Sequence, residues 1–331
     1  MTNIVVLIKQ VPDYESERKL NDGDFTLDRE SADAVLDEIN ERAVEAALQI
    51  KEKEEAAGGA GTVTVLTVGP ERATEAIRKA LSMGADNAVH VKDDQLKGSD
   101  IVQTGWTLAR ALGTIEGAEL VIGGNESTDG VGGAVPAVIA ELLGLPQLTS
   151  LRSISVEGGK VTGERETDEG VFGLEAALPA VVSVNERIGE ARFPSFKGIM
   201  AAKKKPVTVL TLAEIGVEAD EVGVANASSK VLSSTPKPAK AAGEKITDEG
   251  EGGNKIAEHK EIDDANQTVE GPVDTPAPTT SEETIPTTTI QLLPSTEPSG
   301  GPVPEIQTRA EFKDGVNIVQ NGTTVEDTVY Y

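Results

Sequence analysis

Short, unbroken apolar runs alternate along the first half of the chain with longer stretches whose apolar residues recur every three or four positions. Ile4-Val5-Val6-Leu7-Ile8 is the first such run, ended by Pro12, and Thr62-Val63-Thr64-Val65-Leu66-Thr67-Val68, Asn87-Ala88-Val89-His90-Val91 and the segment 118–122 follow it. Runs without polar interruption suit strands covered on both faces. Between them, a helical pattern carried by Ala43, Ala47 and Ile50 begins at Asn40 and stops by Gly58-Gly59. Helices are also predicted over 71–83, ended by Gly84, and over 101–112, with the lone Trp106 in the core. Strands separated by helical segments of this length form parallel βαβ units with right-handed crossovers. Val11-Pro12-Asp13-Tyr14 reads as the loop at the end of the first strand, and the polar segment 15–38 as a surface hairpin turning at Asn21-Asp22-Gly23-Asp24.

After Pro146 the pattern changes. Short strands over 153–156 and 160–164 flank Gly158-Gly159, a tight hairpin signal, and 172–176 and 179–184 follow. All four are assigned here to an antiparallel layer attached to the parallel sheet. Arg192-Phe193-Pro194-Ser195-Phe196-Lys197-Gly198-Ile199-Met200 reads as a loop carrying two aromatics. Lys203-Lys204-Lys205, opposite in sign to the chain as a whole, reads as solvated, and 207–212 as a last strand.

The candidate site lies between the fourth run and the next helix. Gly123 and Gly124 lead into Asn125, Glu126, Ser127, Thr128, Asp129, Gly130, Val131, Gly132, Gly133, Ala134 and Val135, and Pro136 then stands at the first turn of a helix ending at Leu143. A glycine-rich loop from strand to helix sits at the carboxyl end of a parallel strand, where open α/β sheets bind ligands. Its N–H groups and the helix N-terminus favour an anion such as phosphate. The loop has neither the lysine of a P-loop nor the spacing of a dinucleotide fingerprint.

Composition narrows the choices. The net charge of −26 argues against nucleic-acid backbones or an anionic membrane surface as partners. Without cysteine there is no disulfide, thiolate nucleophile or cysteine-held metal, and two histidines, His90 and His259, make no histidine-rich metal site. His90 reads as a packed or exposed strand residue. The amino-terminal residues lack a signal-peptide pattern and no run reaches the length of a membrane span, so a cytoplasmic protein is expected. Half of the net charge lies in 216–331, together with ten of the 17 prolines, and no aromatic residue occurs between Gly216 and Glu311. The expected organisation is therefore a domain over 1–229 and a Pro/Thr/Glu-rich, mostly disordered tail over 230–331.

These residues, in this order, resemble the beta subunit of the electron transfer flavoprotein. The resemblance covers about 1–255. It rests on Lys9-Gln10-Val11-Pro12-Asp13-Tyr14, Ala43-Val44-Glu45-Ala46-Ala47, Gly69-Pro70, Ala80-Leu81-Ser82-Met83-Gly84-Ala85-Asp86, the loop from Gly124 to Pro136, Val161-Thr162-Gly163-Glu164-Arg165-Glu166, Leu178-Pro179-Ala180-Val181-Val182-Ser183-Val184, and the stretch from Arg192 to Lys205. It implies an α/β, Rossmann-like parallel sheet of the adenine-nucleotide-binding type with an antiparallel strand layer.

It also implies a carrier without bond-making chemistry, in a heterodimer whose alpha subunit holds FAD. Such a carrier takes electrons from acyl-CoA and other primary dehydrogenases and passes them to a membrane quinone oxidoreductase. The beta subunit would hold AMP, its phosphate against residues 124–135 and its adenosine near Leu7, Asp37, Glu38, Ile39, Asn40 and Val68. Tyr14 would reach the partner's flavin. Phe196, flanked by Pro194 and Lys197, and Glu166 would serve partner recognition. Two features depart from the family: Gly130-Val131-Gly132-Gly133 replaces more acidic and amide-rich side chains, and after Glu258 the chain runs into its tail instead of a short apolar helix. A bifurcating relative with a second FAD, and a nucleotide-binding regulatory module without redox function, share the fold and remain alternatives.

Overall fold

The computed structural model describes residues 2–16 and 18–235, together with 310–312, 315–317 and 328–330. The chain divides into two compact units, Met1–Ser234 and Thr235–Tyr331. In the second, Ala310–Phe312 and Gly315–Asn317 pair as an antiparallel hairpin. Apart from 230–235, 310–312, 315–317 and 328–330, the expected disordered tail lies outside the described residues.

In the first unit the order is β1 (Ile4–Leu7), β2 (Gln10–Pro12), β3 (Ala34–Leu36), α1 (Glu38–Ala56), β4 (Val63–Val68), α2 (Thr74–Met83), β5 (Asn87–Val91), α3 (Ile101–Leu112), β6 (Leu120–Gly124) and α4 (Val135–Leu143). It continues with β7 (Gln147–Glu157), β8 (Lys160–Thr167), β9 (Gly170–Ala177), β10 (Ala180–Val184), α5 (Phe196–Ala202) and β11 (Val207–Leu210). Nine strands form one sheet in the order β11-β5-β4-β1-β6-β10-β7-β8-β9. The pairs from β11 to β7 are parallel, while β7-β8 and β8-β9 are antiparallel. Alternate residues of β1 supply the two cores. Ile4 and Val6 join Val44, Leu48, Ile77 and Leu81 of α1 and α2 on one face; Val5 and Leu7 join Leu108 and Ile139 of α3 and α4 on the other. This two-sided burial accounts for the absence of polar alternation in the parallel strands.

Four expectations are corrected. The segment 179–184 does not belong to the antiparallel layer: β10 inserts between β6 and β7, parallel to both and buried along its whole length. Its unbroken Val-rich run is that of a central parallel strand, whereas β8, which lies in the layer, is mostly exposed. Second, Val11 and Pro12 are in β2, which pairs antiparallel with β3, so the hairpin is longer than 15–38, although Leu20 and Leu27 do form a bridge around the expected turn. Third, α1 starts at Glu38, because the Asp37 carboxylate caps it. Fourth, Arg192–Met200 is only partly a loop: Ser195 Oγ accepts the Gly198 N–H at 3.0 Å and caps α5. The Gly158-Gly159 turn is as expected, with both residues at positive φ.

Candidate functional site

The strand order sets the place of the site. From β1 the chain builds β4 and β5 on one side and returns to build β6 on the other, so the topology switches between β1 and β6. At such a point the connections leave the carboxyl ends of neighbouring strands in opposite directions and open a crevice. Leu7, Val68 and Gly124 end their strands on this edge. Asp37, Glu38, Ile39 and Asn40, at the start of α1, come to the loop after β6.

Small residues make the close approach possible. A Cβ on Gly124 would lie 2.7 Å from Asn40 Nδ2 and 3.0 Å from Ile39 Cγ2; one on Gly123 would lie 3.3 Å from Pro136 Cγ and 3.6 Å from Leu7 Cδ1. Buried Asp37 joins helix and loop. One carboxylate oxygen accepts the N–H groups of Ile39 (3.0 Å) and Asn40 (3.3 Å), the other the N–H (2.7 Å) and hydroxyl (2.8 Å) of Thr128. Asn40 in turn accepts the Lys9 N–H through Oδ1 at 2.8 Å.

A charged cluster supports the loop from below. Lys9 Nζ donates to Asp129 at 2.6 Å and to Ser127 Oγ at 3.1 Å, Arg29 donates to Asp129 at 2.8 Å, and Arg18 donates to the Thr128 carbonyl at 2.7 Å. The Asp129 side chain is fully covered. Burial alone would raise its carboxyl, but the Lys9 and Arg29 charges outweigh that and hold it at about 2. Burial lowers the Lys9 ammonium, against the opposing pull of Asp129. Neither Lys9, Arg18 nor Arg29 stood out in the sequence as a site residue. The signal for Lys9 was its place just past the first strand, at the ligand edge; nothing local marked the arginines.

The upper part of the loop is left to donate. Asn125 N–H is used by the Val184 carbonyl and Val131 N–H by the Ser127 carbonyl, but no acceptor among the described residues takes the N–H groups of Gly132, Gly133 or Ala134. Asn125 Oδ1 is buried without a partner. Helix α4 has Ala134 at its N-cap, so no side chain caps it, and it carries proline in its first turn. Glu126, Ala134 and Val135 are half-buried, and Gly130 to Gly133 are exposed. An uncapped helix N-terminus beside free amides is suited to an anion.

The other candidates lie elsewhere. Tyr14 is exposed beyond β2, its hydroxyl 3.3 Å from Glu15. Phe196 is 81% exposed at the start of α5, next to exposed Lys197 and half-buried Pro194. Its base is firm: Arg192 pairs with Glu45 and Glu52 of α1 at 2.6 and 2.5 Å, and a Cβ on Gly198 would collide with the Ser82 carbonyl of α2. Glu166 already pairs with Arg152 and Arg187. His90 is packed, with Nε2 2.9 Å from the Gly69 carbonyl. Lys203 and Lys204 are exposed as expected, but Lys205 turns in and donates to the carbonyls of Leu81, Gly84 and Ala85 at the end of α2. Among the described residues no cluster of acidic or histidine side chains is arranged to hold a metal, and no helix is long and apolar enough to cross a membrane.

Together these features define an open, doubly wound α/β domain with an anion-ready loop at its switch point. The electron transfer flavoprotein domain model matches residues 24–215. Electron transfer flavoprotein subunit beta of Mycobacterium tuberculosis is 82% identical over 259 residues, which cover 78% of this chain and 97% of the relative; that of Mycobacterium leprae is 83% identical over the same span. More distant is the caffeyl-CoA reductase-Etf complex subunit CarD of Acetobacterium woodii, 34% identical over 74% of this chain and 91% of its own length. The chain belongs to the electron transfer flavoprotein family, among its beta subunits. Membership makes it a component of an electron transfer flavoprotein, with an alpha subunit as heterodimer partner and flavin as the redox group. It points to an electron carrier rather than a catalyst.

Proposed function

We propose that this beta subunit carries electrons from acyl-CoA and other primary dehydrogenases to a membrane quinone oxidoreductase, with AMP in its own loop and one FAD held mainly by the alpha subunit. The region 1–229 is the nucleotide-binding domain, and 230–331 is an appendage outside that work. The observation that carries the reading is the set of free amides at Gly132, Gly133 and Ala134 in front of an uncapped helix at the switch point.

The residues fit AMP. Asn125 Oδ1 is a buried acceptor without a partner in the loop itself, and Gly124, where a Cβ would collide with Asn40 and Ile39, lets the start of α1 pack directly against the strand end. Gly132 to Ala134 would face the phosphate, while Leu7, Val68, Ile39 and Asn40 would line the nucleoside side. Thr128 and Ser127 are already engaged by Asp37 and Lys9, and act by holding the loop's shape. FAD supplies the one-electron and two-electron chemistry when bound; exposed Tyr14 would meet it from this chain. Phe196 on its anchored base would enter a pocket on the dehydrogenase, and Glu166, balanced by Arg152 and Arg187, would serve the same recognition. The carrier would work in the cytoplasm.

Co-expression with the alpha subunit, a visible spectrum and extraction of bound nucleotides test the reading. One FAD and one AMP per heterodimer are expected. Two FAD and no AMP would replace it with the bifurcating alternative. A colourless chain that binds no alpha subunit would leave a regulatory module.

A further inference from the structure

The segment from Asp13 to Asp33, which carries Tyr14, has little core of its own: Ala32 is its buried apolar residue. Its ends are held by the three-residue ladder between β2 and β3. Its middle is held by side chains. Arg72 donates to the carbonyls of Arg29, Glu30 and Ala32, Lys97 pairs with Glu30 at 3.3 Å, and Arg18 and Arg29 reach into the glycine-rich loop. There they converge on two adjacent residues. Arg18 grips the Thr128 carbonyl at 2.7 Å, and Arg29 grips the covered Asp129 carboxylate at 2.8 Å, which Lys9 shares at 2.6 Å. From the other side Asp37 holds the N–H and hydroxyl of Thr128. The residues that shape the loop are thus the residues that hold the Tyr14 segment.

A segment with few apolar contacts opens at low free-energy cost, and its opening is governed by the few ties that close it. A loop with three exposed glycines, at 130, 132 and 133, is itself free to vary unless something fills it. We propose that Asp129 is a positioning residue: a nucleotide phosphate on the upper loop fixes the Thr128-Asp129 turn, and Asp129 passes that order through Arg29 to the Tyr14 segment. Occupancy of one site then sets the order of the surface that meets the partner's flavin. The inference rests on the nucleotide reading above and adds a regulatory consequence to it. Ordering of the loop by one ligand lowers the cost of ordering the segment, which is a coupling that needs no large movement.

Arg29 is the residue to change, because it is half-exposed and lies outside the candidate nucleotide contacts. The heterodimer of the full chain with its alpha subunit, stripped of nucleotide, is digested briefly with trypsin with and without saturating AMP. Cleavage after Lys19 is followed by mass spectrometry, and AMP affinity is measured separately by calorimetry. In the wild type AMP is expected to slow this cleavage by about tenfold. In Arg29→Gln the protection is expected to fall to within about twofold of unity while the AMP dissociation constant changes by less than about threefold. Arg29→Lys, which keeps the charge, should restore part of the protection. AMP that binds the wild type without protecting Lys19, or protection that survives Arg29→Gln undiminished, overturns the inference alone. Failure of AMP to bind the wild type refutes the nucleotide reading and the inference with it.

Discussion

Replacing Asp37 by alanine removes two supports that are remote in sequence and shared by one carboxylate. The first is the cap of α1, in which one oxygen accepts the N–H groups of Ile39 and Asn40. Loss of a good N-cap costs about 1 kcal/mol. The second is the anchor of the loop, in which the other oxygen accepts the N–H of Thr128 at 2.7 Å and its hydroxyl at 2.8 Å. The Asp37 side chain is buried, and leaving the half-buried Thr128 N–H without its charged acceptor costs about 1–3 kcal/mol. The expected loss for Asp37→Ala is therefore about 2–4 kcal/mol. Asp37→Ser separates the two effects, because serine caps a helix as well as aspartate does but has one short hydroxyl that cannot also reach the loop. It should recover about 1 kcal/mol of stability and none of the nucleotide affinity.

The assay is guanidinium unfolding followed through Trp106, the single tryptophan, which is half-buried on α3, with nucleotide content measured on the same samples. A midpoint shift at constant slope gives the loss directly. The reasoning is refuted if Asp37→Ala loses less than about 1 kcal/mol, or if Asp37→Ser retains wild-type nucleotide.

Three further outcomes are expected. Asp129 titrates at about 2 in the folded protein against 3.8 ordinarily, so its stabilisation is fully present above pH 3.8 and is lost as the pH falls towards 2. The contribution is about 2 kcal/mol, and Asp129→Asn should flatten the acid limb of a stability profile; an equally steep limb in the variant would contradict this. Phe196→Ala should raise the Michaelis constant of dehydrogenases for the carrier about 30- to 1,000-fold while leaving unfolding midpoints and flavin content near wild type, since the ring is 81% exposed; steady-state assays decide, and an unchanged constant removes Phe196 from recognition. A chain ending at residue 260 should keep its flavin, nucleotide and heterodimer, because the mycobacterial relative is matched over 97% of its length by 259 residues; loss of the heterodimer on gel filtration would show the tail to be needed.

The sequence by itself determined the parallel strands, the helices between them and the loop from Gly124 to Val135, because each of these is written in neighbouring residues: an apolar run, a helical period, a glycine cluster before Pro136. It also held the family resemblance, spread over short motifs in a fixed order. Two assignments failed although their local signal was present. The run Ala180–Val184 is apolar but for Ser183 and buried throughout like β1, yet its position just after a hairpin drew it into the wrong layer. Ser195 stood three residues before Gly198 as a cap, yet Pro194 and Gly198 read as loop.

Only the tertiary structure decided that β10 separates β6 from β7, that the switch point falls beside β1, and that Asp37, Lys9, Arg18 and Arg29 meet at Thr128 and Asp129. The pairs in that cluster lie 91 to 120 positions apart, and a lone aspartate or arginine has the same local pattern whether it faces water or a buried partner. Backbone propensity and periodicity act over a few residues, whereas this cluster exists because closing the sheet brings distant polar groups out of water, where an unpaired charge would be costly and a paired one is kept.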